Sequence, residues 1–172
     1  MIARSLIVDG YNVVHASPRY RALLDTDPGL ARAALVADVA SYAEPGLRCA
    51  VVFDGGANPD SDGAPHHVAG VVVMFSPFGT DADTVVEGLA RRSRERGESA
   101  VVVTSDAATQ WTVMGDGVTR MSAAEFVSAL GVEATERQEH VPLGSHKVTV
   151  DARIEADVAD KLRKWARGGG PY

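Results

Sequence analysis

Leu6-Ile7-Val8-Asp9-Gly10-Tyr11-Asn12 decides how the rest of the chain is read. Three apolar residues run without a break into a carboxylate, a glycine and a side-chain amide. A strand with one wet face alternates apolar and polar residues, whereas a continuous apolar run marks a strand buried on both faces, as in a parallel sheet. An Asp at the carboxyl end of such a strand stands where open α/β sheets place their ligands. The fold and the function both turn on whether similar strands occur later in the chain and whether they also end in carboxylates.

Working outward, Arg48 to Phe53 predicts a second strand, ending at Asp54-Gly55-Gly56. Val68 to Phe75 predicts a third, closed by Ser76-Pro77-Phe78-Gly79. Ser99 to Thr104 predicts a fourth, followed by Ser105-Asp106, and Val118 to Met121 a short fifth. Between the first two strands, Val13 to Leu24 reads as a short helix or turn and a loop. Asp27-Pro28 then opens a helix, with Asp as cap and Pro at the first position, and Glu44-Pro45-Gly46 stops it. Ala57 to Ala64 is loop in composition. Thr80-Asp81-Ala82-Asp83 opens a helix to about Arg96, with Gly97 as its terminator. A further helix begins at Ala107 and carries Gln110 and Trp111. Ser122-Ala123-Ala124-Glu125 forms a capping box for a helix reaching Leu130 or beyond. Val141 to Ser145 is a loop, and Val150 to Ala166 a final amphipathic helix with Ile154, Val158, Leu162 and Trp165 on one face. The alternation predicts an α/β three-layer sandwich on a mostly parallel sheet, one domain over residues 1–167 with a frayed tail at 168–172.

Composition narrows the function classes. A chain of 172 residues with 45% hydrophobic content supports one domain with a real core. No apolar run approaches the roughly 18 residues of a membrane span, and the five residues before the first strand are too few for a signal peptide, so a cytosolic location is expected. The single cysteine, Cys49, excludes an internal disulfide and reads as a buried small hydrophobe. The net charge of −6 argues against a surface coated with basic charge for non-specific nucleic-acid binding. It does not argue against a nuclease, because clustered carboxylates push the sum negative. Positive charge gathers at two helix ends, Arg91, Arg92, Arg94 and Arg96 on one and Lys161, Arg163, Lys164 and Arg167 on the other. Each cluster suits a helix carboxyl terminus, and each is also a candidate track for an RNA backbone.

All strand exits of a parallel sheet lie on one edge, so Asp9, Asp54 and Asp106 converge there, joined by Asp81 and Asp83 at the start of the helix after the third strand. Like charges at close range are unfavourable unless something positive sits among them. Oxygen-rich, anionic donors suit Mg²⁺ or Mn²⁺, and two ions about 4 Å apart would clamp the attacking and leaving oxygens of a phosphodiester displacement. Each carboxylate also has a structural use. Asp81 or Asp83 can cap its helix, Asp54 can close a turn, and Asp106 can cap the helix beginning at Ala107. For Asp9 no helix start is legible beside it, and Gly10 reads as an opening for close approach of a ligand. Asn12 is either a turn amide or a contact to substrate phosphate. Other constellations are weak. His66 and His67 are adjacent on a strand and point to opposite faces, while His15, His140 and His146 are scattered. No phosphate-binding glycine loop, dinucleotide fingerprint or nucleophile elbow occurs. Tyr11, Tyr20 and Trp111 either stack bases or pack against the core.

Together, Leu6 to Asn12, Val51-Val52-Phe53-Asp54, Thr80-Asp81-Ala82-Asp83 with Glu87, Val103-Thr104-Ser105-Asp106 with Gln110-Trp111, and Lys164-Trp165-Ala166-Arg167-Gly168 resemble the NYN-domain proteins of the YacP-like family, in the PIN-like nuclease group. The resemblance spans nearly the whole chain. It implies a sheet of order 3-2-1-4-5 and a divalent-metal-dependent endoribonuclease, one branch of the family acting on ribosome-associated messenger RNA. It implies Asp9, Asn12, Asp83 and Asp106 as the acidic site, with Glu87 and Ser105 as further members. Asp81 departs from the family, which more often has a non-acidic residue there. The loop from Ala57 to His67 is less basic than in the characterised branch.

Two other functions remain. A haloacid-dehalogenase-like phosphatase also begins with an Asp after its first strand and has a Ser or Thr at a later strand end, as Thr104 is. It needs a second Asp two residues on, where this chain has Tyr11, and a later lysine, where the first lysine is Lys147. A non-catalytic RNA- or ribosome-binding module would not require the acidic set.

Overall fold

In the computed structural model, residues 4–105, 115–139 and 148–167 are described. The opening stretch forms β1 (Arg4–Asp9), the central strand. It pairs in parallel with β2 (Leu47–Phe53) on one side and β5 (Ser99–Val103) on the other. β4 (Val71–Phe75) and β6 (Val118–Met121) extend the sheet in parallel beyond β2 and β5. A short β3 (His66–Val68) runs antiparallel to β4. The order is β3-β4-β2-β1-β5-β6, a mostly parallel sheet as expected.

The stretch expected as one third strand is a hairpin. Ala69 and Gly70 take φ of 49° and 82°, the positive-φ pair that a two-residue hairpin turn requires. Val68-Ala69-Gly70-Val71 reads as continuous strand because only one glycine interrupts an apolar run. The stretch expected as a short helix or turn and a loop is two helices, α1 (Gly10–Ala16) and α2 (Pro18–Thr26). Ser17 caps the second, with Pro18 at its first position. The next three helices start where expected, and the last begins two residues earlier, at Val148 rather than Val150. α3 (Pro28–Tyr42) is capped by Asp27, whose carboxylate accepts from the Gly29 amide at 2.8 Å. α4 (Ala82–Glu95) is capped by Asp81. α5 (Ala123–Glu139) opens on the capping box: Ser122 Oγ accepts from the Glu125 amide at 3.2 Å, and Glu125 accepts from the Ser122 amide at 2.8 Å. α6 (Val148–Ala166) is the final amphipathic helix. The helix expected from Ala107, the loop at Val141–Ser145 and the tail at 168–172 lie outside the described residues. Among the described residues no helix is long and apolar enough to cross a membrane.

Strand alternation sorts the core into two halves. Leu6 and Val8, Cys49, Val51 and Phe53, and Val103 face a large cluster with α1, α3, α5 and α6. Ile7, Val52, Ala100 and Val102 face the other way, onto Val86 and Ala90 of α4. Burial pushes the Cys49 thiol up to about 11, which leaves it an inert core residue. Parallel pairing on both sides of β1 brings the ends of β1, β2, β4, β5 and β6 to one edge.

Candidate active site

Alternation decides what points where at that edge. Asp9 continues the Ile7 row and Thr104 the Val102 row, so both lie on the face that α4 covers. Asp83 reaches the same place from the first turn of α4. Asp9 is 6% exposed. Its carboxyl is raised from the usual carboxylate range to about 6, chiefly by burial. The Asn12 amide lowers it, while Asp83, by charge and by a hydrogen bond, and the charge of Asp54 raise it again. Two of the other carboxylates expected at the edge, Asp83 and Asp54, therefore act on Asp9.

Asn12 holds Asp9 in place. Its backbone amide donates to Asp9 Oδ1 at 3.3 Å and its side-chain Nδ2 to Asp9 Oδ2 at 3.0 Å. The same Nδ2 donates to Thr104 Oγ1 at 3.1 Å, tying the exit of β5 to that of β1. The side-chain amide is thus engaged in positioning a carboxylate. The first of these bonds also makes Asp9 the N-cap of α1, the helix start that the sequence did not disclose. Gly10 has a structural reason: a Cβ there would overlap the Phe53 ring, so packing, rather than ligand approach, requires it. Thr104 is fully buried. In the sequence it stands out only as a hydroxyl after an apolar strand, and its role depends on a partner 92 residues away.

The other carboxylates divide. Asp54 has the expected turn role, accepting from the Gly56 amide at 2.8 Å and the Ser76 hydroxyl at 3.4 Å, and also acts on Asp9 by charge. Asp81 is a cap: its Oδ1 accepts from the Thr84 amide at 2.8 Å and the Thr84 hydroxyl at 2.6 Å, and these bonds lower its pKa. Glu87 is half-buried one turn beyond Asp83, and Ser105 is exposed after β5. Asp106, Gln110, Trp111, His140 and His146 lie outside the described residues.

The cationic candidates also divide. Arg91 and Arg92 are exposed on the second half of α4, beside a groove shared with Asp62, Pro77 and Thr84. Lys161 pairs with Asp157 at 2.7 Å, and Lys164 is exposed. Arg163 is structural, gripping Asp27 and Asp160. Tyr20 packs in the core, and His66 stacks on Trp165 with ring centroids 4.1 Å apart.

Among the described residues no group of three or more His, Cys, Asp or Glu is placed to hold a metal. The chemistry of the donors nevertheless fits a hard divalent cation. Asp9 and Asp83 are oxygen donors whose mutual repulsion a cation would relieve, and Mg²⁺ commonly takes one or two carboxylates, with water and substrate phosphates completing its shell.

Comparison with known proteins places this chain in a family. The family described as YacP-like NYN domain matches residues 6–167. YacP of Bacillus subtilis (strain 168) is 31% identical over 176 aligned residues, covering 95% of this chain and 96% of that one. The crystal structure of Rae1 (YacP) from Bacillus subtilis superposes with a TM-score of 0.64 at 29% identity, covering 95% of this chain and 94% of that one. That of a single-site mutant of the same protein superposes at 0.68 and 28%, covering 96% of both chains.

Proposed function

The chain belongs to the YacP-like NYN domain family, a nuclease-like family, and from that premise we propose that it is a divalent-metal-dependent endoribonuclease. The observation that carries the reading is the buried Asp9 carboxylate, pushed up to about 6 by burial with Asp83 and Asp54 acting on it. Like-charged carboxylates gathered at one sheet edge are costly to the fold. They gain their use when a cation and a polyanionic substrate arrive.

Asp9 and Asp83 would hold Mg²⁺ or Mn²⁺, with Asp106 as a third donor and Asp54 and Glu87 as outer members; Asp81 is left to its cap. The bound cation supplies Lewis acidity toward a phosphodiester oxygen and neutralises charge developing on it. Asn12 keeps both oxygens of Asp9 oriented, and Thr104 keeps Asn12 oriented. Ser105, exposed beside Thr104, would contact substrate. Arg91, Arg92, Lys161 and Lys164 would attract the RNA backbone from either side by charge that salt screens. The natural substrate in this reading is single-stranded RNA, including messenger RNA on the ribosome, and the site of action is the cytoplasm. Tyr11, where a phosphatase of the haloacid dehalogenase kind needs its second Asp, disfavours that alternative.

Asp9→Asn tests the reading. The substitution keeps the N-cap acceptor, so the fold should persist by circular dichroism while Mn²⁺-dependent cleavage of single-stranded RNA falls at least a hundredfold, on the order expected for loss of an electrostatic catalytic group. Wild-type cleavage by the variant would refute it.

A further inference from the structure

Across the same edge, on the α3 side, lies a cavity of about 540 Å³ lined by Tyr11, Arg32, Asp54, Asn58, Phe75 and the end of α6 at Ala166. Its volume is in the range of ligand sites, roughly 300–1,000 Å³. It opens beside the acidic cluster, sharing Asp54 with it and lying two residues along the chain from Asp9 at Tyr11.

Arg32 is the anomaly in its wall. It sits beside Ala31, Ala34 and Leu35, the inward residues of α3, all buried in the core. Its Nε donates to the Tyr11 hydroxyl at 3.1 Å, and its guanidinium lies over the Phe75 ring at 5.5 Å. NH1 is shut off from solvent and has no hydrogen-bond partner. The Asp27 carboxylate is in electrostatic range of Arg32, but its hydrogen bonds go to Arg163 and the Gly29 amide. A guanidinium fixed by a phenol and an aromatic face in the wall of a cavity, and lacking a carboxylate partner, presents a fixed positive charge to a phosphate entering that cavity. An arginine kept only for packing would be better replaced by an apolar residue, because a shielded donor without an acceptor destabilises the fold.

We propose that Arg32, held by Tyr11, binds an RNA phosphodiester neighbouring the scissile one, and that the cavity receives that flanking nucleotide. The inference rests on the nuclease reading for the identity of its ligand. It assigns Arg32 to substrate binding rather than to the chemical step, so its loss should appear in KM and not in kcat.

The test uses Arg32→Met and a short oligouridylate, unmodified or carrying one neutral methylphosphonate walked along the strand. Arg32→Met should melt at or above the wild-type temperature, because a shielded unpaired donor is removed. It should bind the RNA about tenfold more weakly, with a salt slope smaller by about one. One methylphosphonate position should weaken wild-type binding and leave Arg32→Met unaffected. Wild-type affinity and salt slope in Arg32→Met, or equal sensitivity of both proteins to every methylphosphonate, would overturn the proposal. A wild-type protein that binds the RNA through Arg32 but leaves it intact with Mn²⁺ would refute the nuclease reading alone. Cleavage by Arg32→Met with wild-type KM would refute this inference alone, and a wild-type protein that does not bind the RNA would refute both.

Discussion

With its carboxyl buried and Asp83 and Asp54 acting on it, Asp9 keeps its proton to about pH 6, against 3.8 for an ordinary aspartate. Between those values the folded protein holds a proton that the unfolded chain has released. Stability of the metal-free protein should therefore fall as pH rises from about 4 to about 6, by at most roughly 3 kcal/mol in total. Asp9→Asn removes that cost. In urea unfolding with a chelator present, the variant should be more stable than the wild type at neutral pH and no more stable near pH 3. Equal stability at neutral pH would show that Asp9 is not held at a disadvantage. Asp9 was legible in the sequence because an apolar run ends on it. The purpose of Gly10 was not, because the Phe53 ring that forbids a Cβ lies on another strand. Nor was Asn12 legible as a positioning amide, since half its role depends on Thr104.

At the scale of elements, strong local signals translated directly into structure. Asp27-Pro28 and the Ser122–Glu125 box began helices where expected, because caps are interactions within a few residues. α1 was hidden because its cap is Asp9, a residue whose position at a strand end suggests a ligand instead. One carboxylate serves both ends of that junction. α6 had a legible apolar face but not a legible seat. Arg163 bonds Asp27 at the start of α3, Asn58 donates to the Ala166 carbonyl, and Trp165 stacks on His66. Those contacts make α6 a wall of the Arg32 cavity, so the basic cluster at its end is partly a latch. Arg163→Met should accelerate amide hydrogen exchange in α6 severalfold while leaving exchange in β1 and β5 unchanged. Lys164→Met should leave exchange in α6 as it is. Faster exchange throughout the sheet in Arg163→Met would mean that α6 is integral to the core rather than latched onto it.

Across the whole molecule, the parallel sheet is what turns separate strand ends into a site. The arrangement of a negatively charged chain with carboxylates on the α4 side of one edge and the Arg32 guanidinium, without a carboxylate hydrogen bond, on the α3 side suits a substrate that lies across the edge. The edge itself was legible, because strands buried on both faces imply parallel pairing and parallel pairing aligns the exits. The division of the carboxylates between cap, turn and cluster was not, because it depends on which face of the sheet α4 covers. The most direct measurement is anomalous diffraction from crystals soaked in Mn²⁺. An ion bonded by Asp9 and Asp83 is expected in the wild type and absent from Asp83→Asn crystals. Crystals in which Mn²⁺ binds elsewhere, or in which Asp9 and Asp83 remain without an ion at saturating Mn²⁺, would contradict that expectation.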